Sequence, residues 1–329
     1  MNQRHPLQSR DGFHVEYRGS KLLRGMLAEA MNKSLSEGMS CSALPRTGKT
    51  AITKALEADL TKRRSALFIR RQCINYRERR VANPFLRRLR GSESGPDAGD
   101  VHTNPMKALK NHCLNECDKL DTETVVFCLD EAQNLSVEEL DVLKVLTADL
   151  QELGLRPFVF LVGQPELKLL AAALLDWKRG DLVSRWMGTH CDLPGFVLDD
   201  VKAICTAADT LTWPPGSGIT YTQHYLPEQW KAGWRMAAHG EGLWEALRSL
   251  AKNVGMNVEG FQVGGEYVRN AMLALLLHLR KKPGDKDAAA FAEAARLSRL
   301  TEFAKILLPT KNDAVMLRAK WLRQGLQRR

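Results

Sequence analysis

An α/β fold is predicted, with a parallel sheet held between helices and an all-α C-terminal region, and three observations predict it. Short apolar runs recur at 39–43, 66–74, 124–133 and 157–167, the last three containing β-branched residues, each bounded by turn residues or charge. Segments of helical period separate them. Beyond about Pro194 only helical period remains. A strand covered on both faces reads as a continuous apolar run, and parallel neighbours need a crossover between them that is usually a helix.

The elements follow in order. From Lys21, KLLRGMLAEAMNKSL places Leu22, Leu23, Met26, Leu27 and Met31 on one helical side, and Gly38 is expected to close that helix. The strand at 39–43 runs through CSALPRTGKT into ITKALEADLTKR, which has helical period. ALFIRRQCI (66–74) is the next strand, SESGPDAGD (92–100) has loop composition, and a helix is expected after Pro105. TVVFCLDEAQ (124–133) is a buried strand ending in two carboxylates. Ser136 and Glu139 then form a capping box for a helix with Leu140, Leu143, Leu146, Leu150 and Leu153 on its apolar face. PFVFLVGQPEL (157–167) is a strand with a polar tip. In the C-terminal half, Trp213, Trp230, Trp234 and Trp244 are expected in the helical core. The resulting organisation is an arm over 1–20, a sheet-bearing core over 21–195, a helical region over 196–310 and a basic tail over 311–329.

Bulk composition narrows the function classes. The 329 residues are 44% hydrophobic, which suits a packed globular chain, and carry a formal charge of +10, which favours a polyanionic partner. No apolar run reaches the length of a membrane span and residues 1–19 carry no apolar leader, so a cytoplasmic protein without membrane contact is expected. The seven cysteines are scattered and suit reduced core thiols. His112, Cys113 and Cys117 lack a second ligand cluster, so no zinc site is expected.

The chemistry concentrates at two points. Residues 41–50 end in Gly48, Lys49 and Thr50, the second half of the phosphate-binding loop, but Ala43 stands where that loop begins with glycine. In such a loop backbone N–H groups surround phosphates, lysine neutralises their charge and the hydroxyl binds magnesium. Those duties fall on Pro45, Arg46, Thr47, Gly48, Lys49 and Thr50. About 80 residues later, Asp130 and Glu131 end a strand. Asp130 would hold Mg2+, through water, and Glu131 would polarise a nucleophilic water beside ATP. A strand ending in acidic turn residues is the plain alternative for this motif taken by itself. Gln164, at the tip of the next strand, would sense the terminal phosphate or orient water; an ordinary strand-to-helix turn is the alternative.

A second feature is electrostatic. Between Lys62 and Arg90 lie eleven lysines and arginines against the single acid Glu78. Phosphates relieve such a run without sequence preference, because each neutralised phosphate releases counterions. Arg77, Arg79, Arg80, Arg87, Arg88 and Arg90 are the candidates for double-stranded DNA, with a solvated or partner-docking face as the alternative.

Taken together, PRTGKT (45–50), CLDEAQNL (128–135), VGQPEL (162–167) and LVSRW (182–186) resemble the AAA+ ATPases, and within them the transposition regulators of the TnsC, TniB and MuB group. The resemblance covers roughly residues 20–205 and looks most like TnsC of Tn7-like, CRISPR-associated elements. It implies a P-loop AAA+ core with an all-α lid, ATP and Mg2+ as cofactors, and a ring or helical homo-oligomer on DNA. It also implies a target selector of the TniQ or TnsD type and a transposase of the TnsA/TnsB type as partners. Arg185 matches the arginine that completes a neighbour's site, with Arg179 in reserve. The lid arginine expected after a glycine-rich helix start is replaced in HGEGLWEALRSL (239–250) by Trp244 or Glu245, with Arg248 one turn on. An ExeA-like secretion ATPase, a nucleotide-stabilised adaptor that does not hydrolyse, and a replication initiator or helicase loader are the rival readings.

Overall fold

Five parallel strands carry the site, in a computed structural model that describes residues 5–9, 13, 15–33, 37–74, 82–91, 104–282 and 287–301. The chain divides into two compact units. One comprises Leu22–Ala43 and Lys49–Leu193; the other comprises Met1–Lys21, Leu44–Gly48 and Pro194–Arg329.

The first unit is built on the sheet. Helix α1 (Arg18–Asn32), whose first turn counts with the other unit, buries Leu23, Leu27 and Ala30. Strand β1 (Gly38–Ser42) is buried at every position. Then follow α2 (Lys49–Lys62), β2 (Leu67–Gln72), α3 (Ala82–Arg90), α4 (Pro105–Leu120), β3 (Thr124–Asp130), α5 (Val137–Glu152), β4 (Arg156–Gly163), α6 (Glu166–Asp176), α7 (Gly180–Trp186) and β5 (His190–Asp192). The strand order is β2-β3-β4-β1-β5, and every neighbouring pair is parallel. Register aligns the carboxyl ends: Ser42 lies opposite Gly163, Val162 opposite Asp130 and Asp130 opposite Gln72. The turns that leave β1, β3 and β4 therefore emerge together, the edge at which open parallel sheets hold ligands.

Two expectations are corrected here. Gly38 does not close the first helix, which ends at Asn32; it opens β1, where a Cβ would fall 2.3 Å from the Val159 carbonyl oxygen and 2.9 Å from Trp186. Glycine is required because β4 and the fully buried Trp186 approach the backbone there. Strand β5 was not foreseen, since three residues are too few to show a period. The capping box forms as expected: the Ser136 N–H donates to Glu139 Oε2 (2.8 Å) and the Glu139 N–H to Ser136 Oγ (3.2 Å).

The second unit contains α8 (Leu198–Thr210), α9 (Tyr221–Tyr225), α10 (Pro227–Lys231), α11 (Gly240–Asn253), α12 (Gly265–Lys281) and α13 (Asp287–Leu297). Asp200 Oδ2 accepts the Val197 N–H at 3.0 Å and Oδ1 the Arg18 N–H at 3.1 Å. Tyr17 stacks on Phe196 at 4.0 Å. His5 is buried, 4.8 Å from the rings of Tyr221, His224 and Tyr225; burial, then the nearby His224, lowers its pKa to about 4. Of the four tryptophans expected in the core only Trp244 is buried. Trp213, Trp230 and Trp234 are half-buried; Trp230 lies under the Arg235 guanidinium at 3.5 Å, and Trp234 stacks on His239 at 4.6 Å. An indole half-covered by a cation or another ring keeps one face in water.

All seven cysteines are buried and none forms a disulfide. Among the described residues no helix is long and apolar enough to cross a membrane.

Candidate active site

The turn joining β1 to α2 takes the conformations a phosphate loop needs, at positions other than the departure. Its left-handed residues are Arg46 (φ 64°) and Gly48 (φ 100°). A Cβ at Gly48 would meet nothing within 4 Å, so glycine is favoured there by conformation and not by crowding. Ala43 has no positive φ; its N–H donates to the Gly163 carbonyl at 3.1 Å and its methyl is buried. An alanine therefore fits where the loop usually has glycine.

Lys49 and Thr50 begin α2, where the first backbone N–H groups have no helical partner. The Lys49 side chain is buried, and its Nζ donates to the Ala43 carbonyl at 2.9 Å. Burial lowers its pKa, opposed by Glu131 and Asp130. Thr50 Oγ1 donates to Asp130 Oδ2 at 3.1 Å. Burial raises the Asp130 pKa, and the Thr50 hydrogen bond works against it. The buried Lys49 ammonium is the group that would meet the charge of a phosphate. The Thr50 hydroxyl and Asp130 carboxylate are the hard oxygen donors that suit magnesium. ATP and Mg2+ thus fit Lys49, Thr50 and Asp130.

Glu131 is a left-handed residue (φ 57°), and its N–H donates to Asp130 Oδ1 at 3.0 Å. That conformation turns the chain out of β3 into the short 3-10 turn Ala132–Asn134. Two amides meet on Glu131 Oε2: Gln133 Nε2 at 2.6 Å and Gln164 Nε2 at 3.1 Å. Gln164 stands beside Glu131 because β3 and β4 are neighbours in register. Gln133 was not singled out in the sequence, although it lies two residues past Glu131 in the same DEAQ run.

The arginines are held differently. Arg185, on the last turn of α7, pairs with Glu37 at 2.5 Å. Arg179 grips Asp141 with both terminal nitrogens and reaches Asp181 at 3.1 Å; the hydrogen bond it donates to Asp141 is the main reason its pKa rises. In the helical unit, Arg248 pairs loosely with Glu245 at 3.7 Å. The helix that meets the loop within that unit is α12, not α11. The Glu266 N–H donates to the Arg46 carbonyl at 3.2 Å, the Arg46 guanidinium reaches Glu266 Oε1 at 3.3 Å, and a Cβ at Gly264 would lie 2.8 Å from Arg46 O. The readable signal was the Gly264-Gly265 pair before EYVR.

Of the DNA candidates, Arg77, Arg79 and Arg80 lie outside the described residues. Arg87, Arg88 and Arg90 close α3, whose other face buries Phe85, Leu86 and Leu89; Arg87 is exposed and the other two are half-buried. Other charges of the run serve the fold. Arg63 pairs with Asp59 at 2.9 Å, Arg70 with Glu57 at 2.9 Å, and Arg71 Nε donates to the Arg88 carbonyl at 2.7 Å, a cation at a helix C-terminus.

Sheet order, loop and paired carboxylates define a P-loop AAA+ fold with a helix-rich C-terminal region. Residues 36–170 match the family model described as AAA domain. Among solved structures the chain is similar to Drosophila ORC bound to DNA, at 14% identity over 87% of this chain and 65% of that one, with a TM-score of 0.50. It is also similar to the Aeropyrum pernix ORC2 protein in ADPNP-ADP complexes (15% identity, 87% and 73% of the two chains, TM-score 0.46). A Walker-type ATPase of Pyrococcus abyssi matches at 16% identity over 97% and 78%, with a TM-score of 0.48. At such identities the likeness is one of fold. The chain spans slightly less than two thirds of the ORC chain's length. No curated protein matches it.

Proposed function

We propose that the chain is an ATP-hydrolysing, DNA-binding regulator of transposition, which assembles on duplex DNA and links a target selector of the TniQ or TnsD type to a TnsA/TnsB-type transposase. The observation that carries the ATPase part is the joining of Thr50, Asp130, Glu131 and Gln164 at one sheet edge. Lys49 and the loop 45–50 would bind the phosphates, Thr50 and Asp130 would hold Mg2+, and Glu131 would take the proton of the attacking water. Magnesium, when bound, supplies charge neutralisation on the phosphates. Arg185 would act on a neighbouring subunit's site after releasing Glu37. Arg179, fixed by two carboxylates, suits a structural part.

For the DNA part, the support is the charge of the 62–90 run and the Arg87, Arg88 and Arg90 cluster at one helix end. The adaptor reading drew on Ala43 and on the absent lid arginine; the ordinary φ of Ala43 removes the first of these supports.

The test is binding of the purified chain to random-sequence duplex across a salt series, with ATP, ADP or no nucleotide, and particle size recorded alongside. Large complexes that need adenine nucleotide are expected, with affinity falling as a power of salt concentration. Lys49→Ala should lose the nucleotide dependence. No DNA binding in any state would overturn the DNA reading; unaltered assembly of Lys49→Ala would take the loop out of the mechanism. Adding selector and transposase then tests the transposition link, which fails if neither binds the assembly.

A further inference from the structure

We infer that Gln133 is a positioning residue, one amide that ties Glu131 to the β4 tip and keeps its carboxylate in place while Gln164 is free to swing. The inference rests on the reading of Glu131 as the carboxylate that activates water.

The orientation of the Gln133 amide follows from its neighbours. The Gln164 backbone N–H can only donate, and it meets Gln133 Oε1 at 3.1 Å. The amide nitrogen must then face the other way, where it donates to Glu131 Oε2 at 2.6 Å. A single side chain thus accepts from one turn and donates to the other, joining the ends of β3 and β4.

Glycine at 163 makes this possible. A Cβ there would lie 2.6 Å from Gln133 Oε1, although Gly163 has no positive φ and so needs no special backbone. Its lack of a side chain clears space for the amide. The obstructed atom is the far end of a flexible side chain, so an alanine would be accommodated by displacing Gln133 and not by unfolding β4.

The tie also explains how two amides share one oxygen. Gln164 Nε2 donates to the same Glu131 Oε2 at 3.1 Å, while its backbone N–H stays on Gln133. The Gln164 side chain can therefore leave Glu131 without freeing either turn. Glu131, in a left-handed conformation that costs a non-glycine residue energy, keeps one hydrogen bond throughout. If Gln133 were lost, each departure of Gln164 would leave the carboxylate unheld, and misplacement near 1 Å lowers rates about 10²-fold.

The test uses the full chain with duplex DNA. Gln133→Leu and Gly163→Ala should each lower kcat by about 10-fold to 100-fold. Nucleotide affinity, read with a fluorescent ADP, and Tm should stay near the parent's. Independent of turnover, hydrogen exchange at the Gln164 amide should accelerate in Gln133→Leu. Parent-like kcat in Gln133→Leu with inactive Glu131→Gln would overturn the inference alone, as would unchanged exchange at Gln164, or a kcat loss matched by equal losses of affinity and Tm. Parent-like turnover in Glu131→Gln would instead overturn the reading of Glu131 beneath it.

Discussion

Two polar networks sit on the same sheet, and they differ in what makes them visible. At β3 and β4, Asp130, Glu131, Gln133 and Gln164 are joined through Thr50 and the turns that leave two long buried strands. At β1 and β5, Ser40 Oγ meets His190 Nδ1 at 2.7 Å, Ser42 Oγ meets His190 Nε2 at 3.0 Å and donates to Asp192 Oδ1 at 2.8 Å, and Lys168 closes the chain at 2.6 Å. Because Ser42 gives its proton to Asp192, its oxygen is left to accept from His190 Nε2. The second set contains serine, histidine and aspartate, yet Asp192 reaches the ring at Nε2, the nitrogen that already faces Ser42. It lacks the order of contacts that a nucleophilic triad uses. Resemblance in residue type is thus a weaker guide than which atom meets which.

Substitutions should separate the two. Asp130→Ala removes the Thr50 partner and a carboxylate beside Lys49, and turnover should fall on the order of 10²-fold, measured by phosphate release. Asp192→Asn should leave turnover within about twofold and stability within about 0.5 kcal/mol, because that ion pair is mostly exposed. Equal losses in both would break the comparison. Next in size, Ser42→Ala removes a buried hydroxyl that bonds His190 and Asp192 and should cost about 1 kcal/mol by urea unfolding, with turnover retained.

The smallest effect lies in the helical unit. His5 has a folded pKa depressed from 6.5 to about 4, so its contribution is present above pH 6.5 and lost as pH falls toward 4. The Tm decrease between pH 7.5 and 5 should therefore be smaller in His5→Phe than in the parent. His224, also lowered by burial, remains in both proteins. An identical decrease would show that His5 takes up no proton on unfolding.

Legibility followed the same divide. The four longer strands, the capping box at Ser136 and the Asp130 and Glu131 pair could be read because local period and spacing fix them. β5 could not, because its three residues pair with β1 across some 150 positions of chain. Gln133 stood in plain view, but its role needs the approach of β4 and a bare Gly163. Three half-buried tryptophans were misread as core because aromatic content does not say which ring face a cation will cover. The loop's departure at Ala43 looked graver than it is, since glycine's freedom is used at Gly48 instead.

The seven buried thiols have a practical consequence. Burial pushes Cys113 and Cys205 up to about 12 and Cys117 to about 11, so at neutral pH these sulfurs hold almost no reactive thiolate. Maleimide dyes should spare these three sulfurs in the folded chain and attack them only as it opens, whereas the hydrogen bond with Cys41 lowers the pKa of Cys191 and leaves it the buried thiol most open to reaction. A single cysteine placed at an exposed position can then carry a fluorophore without prior removal of Cys113, Cys117 or Cys205, once Cys191 is replaced.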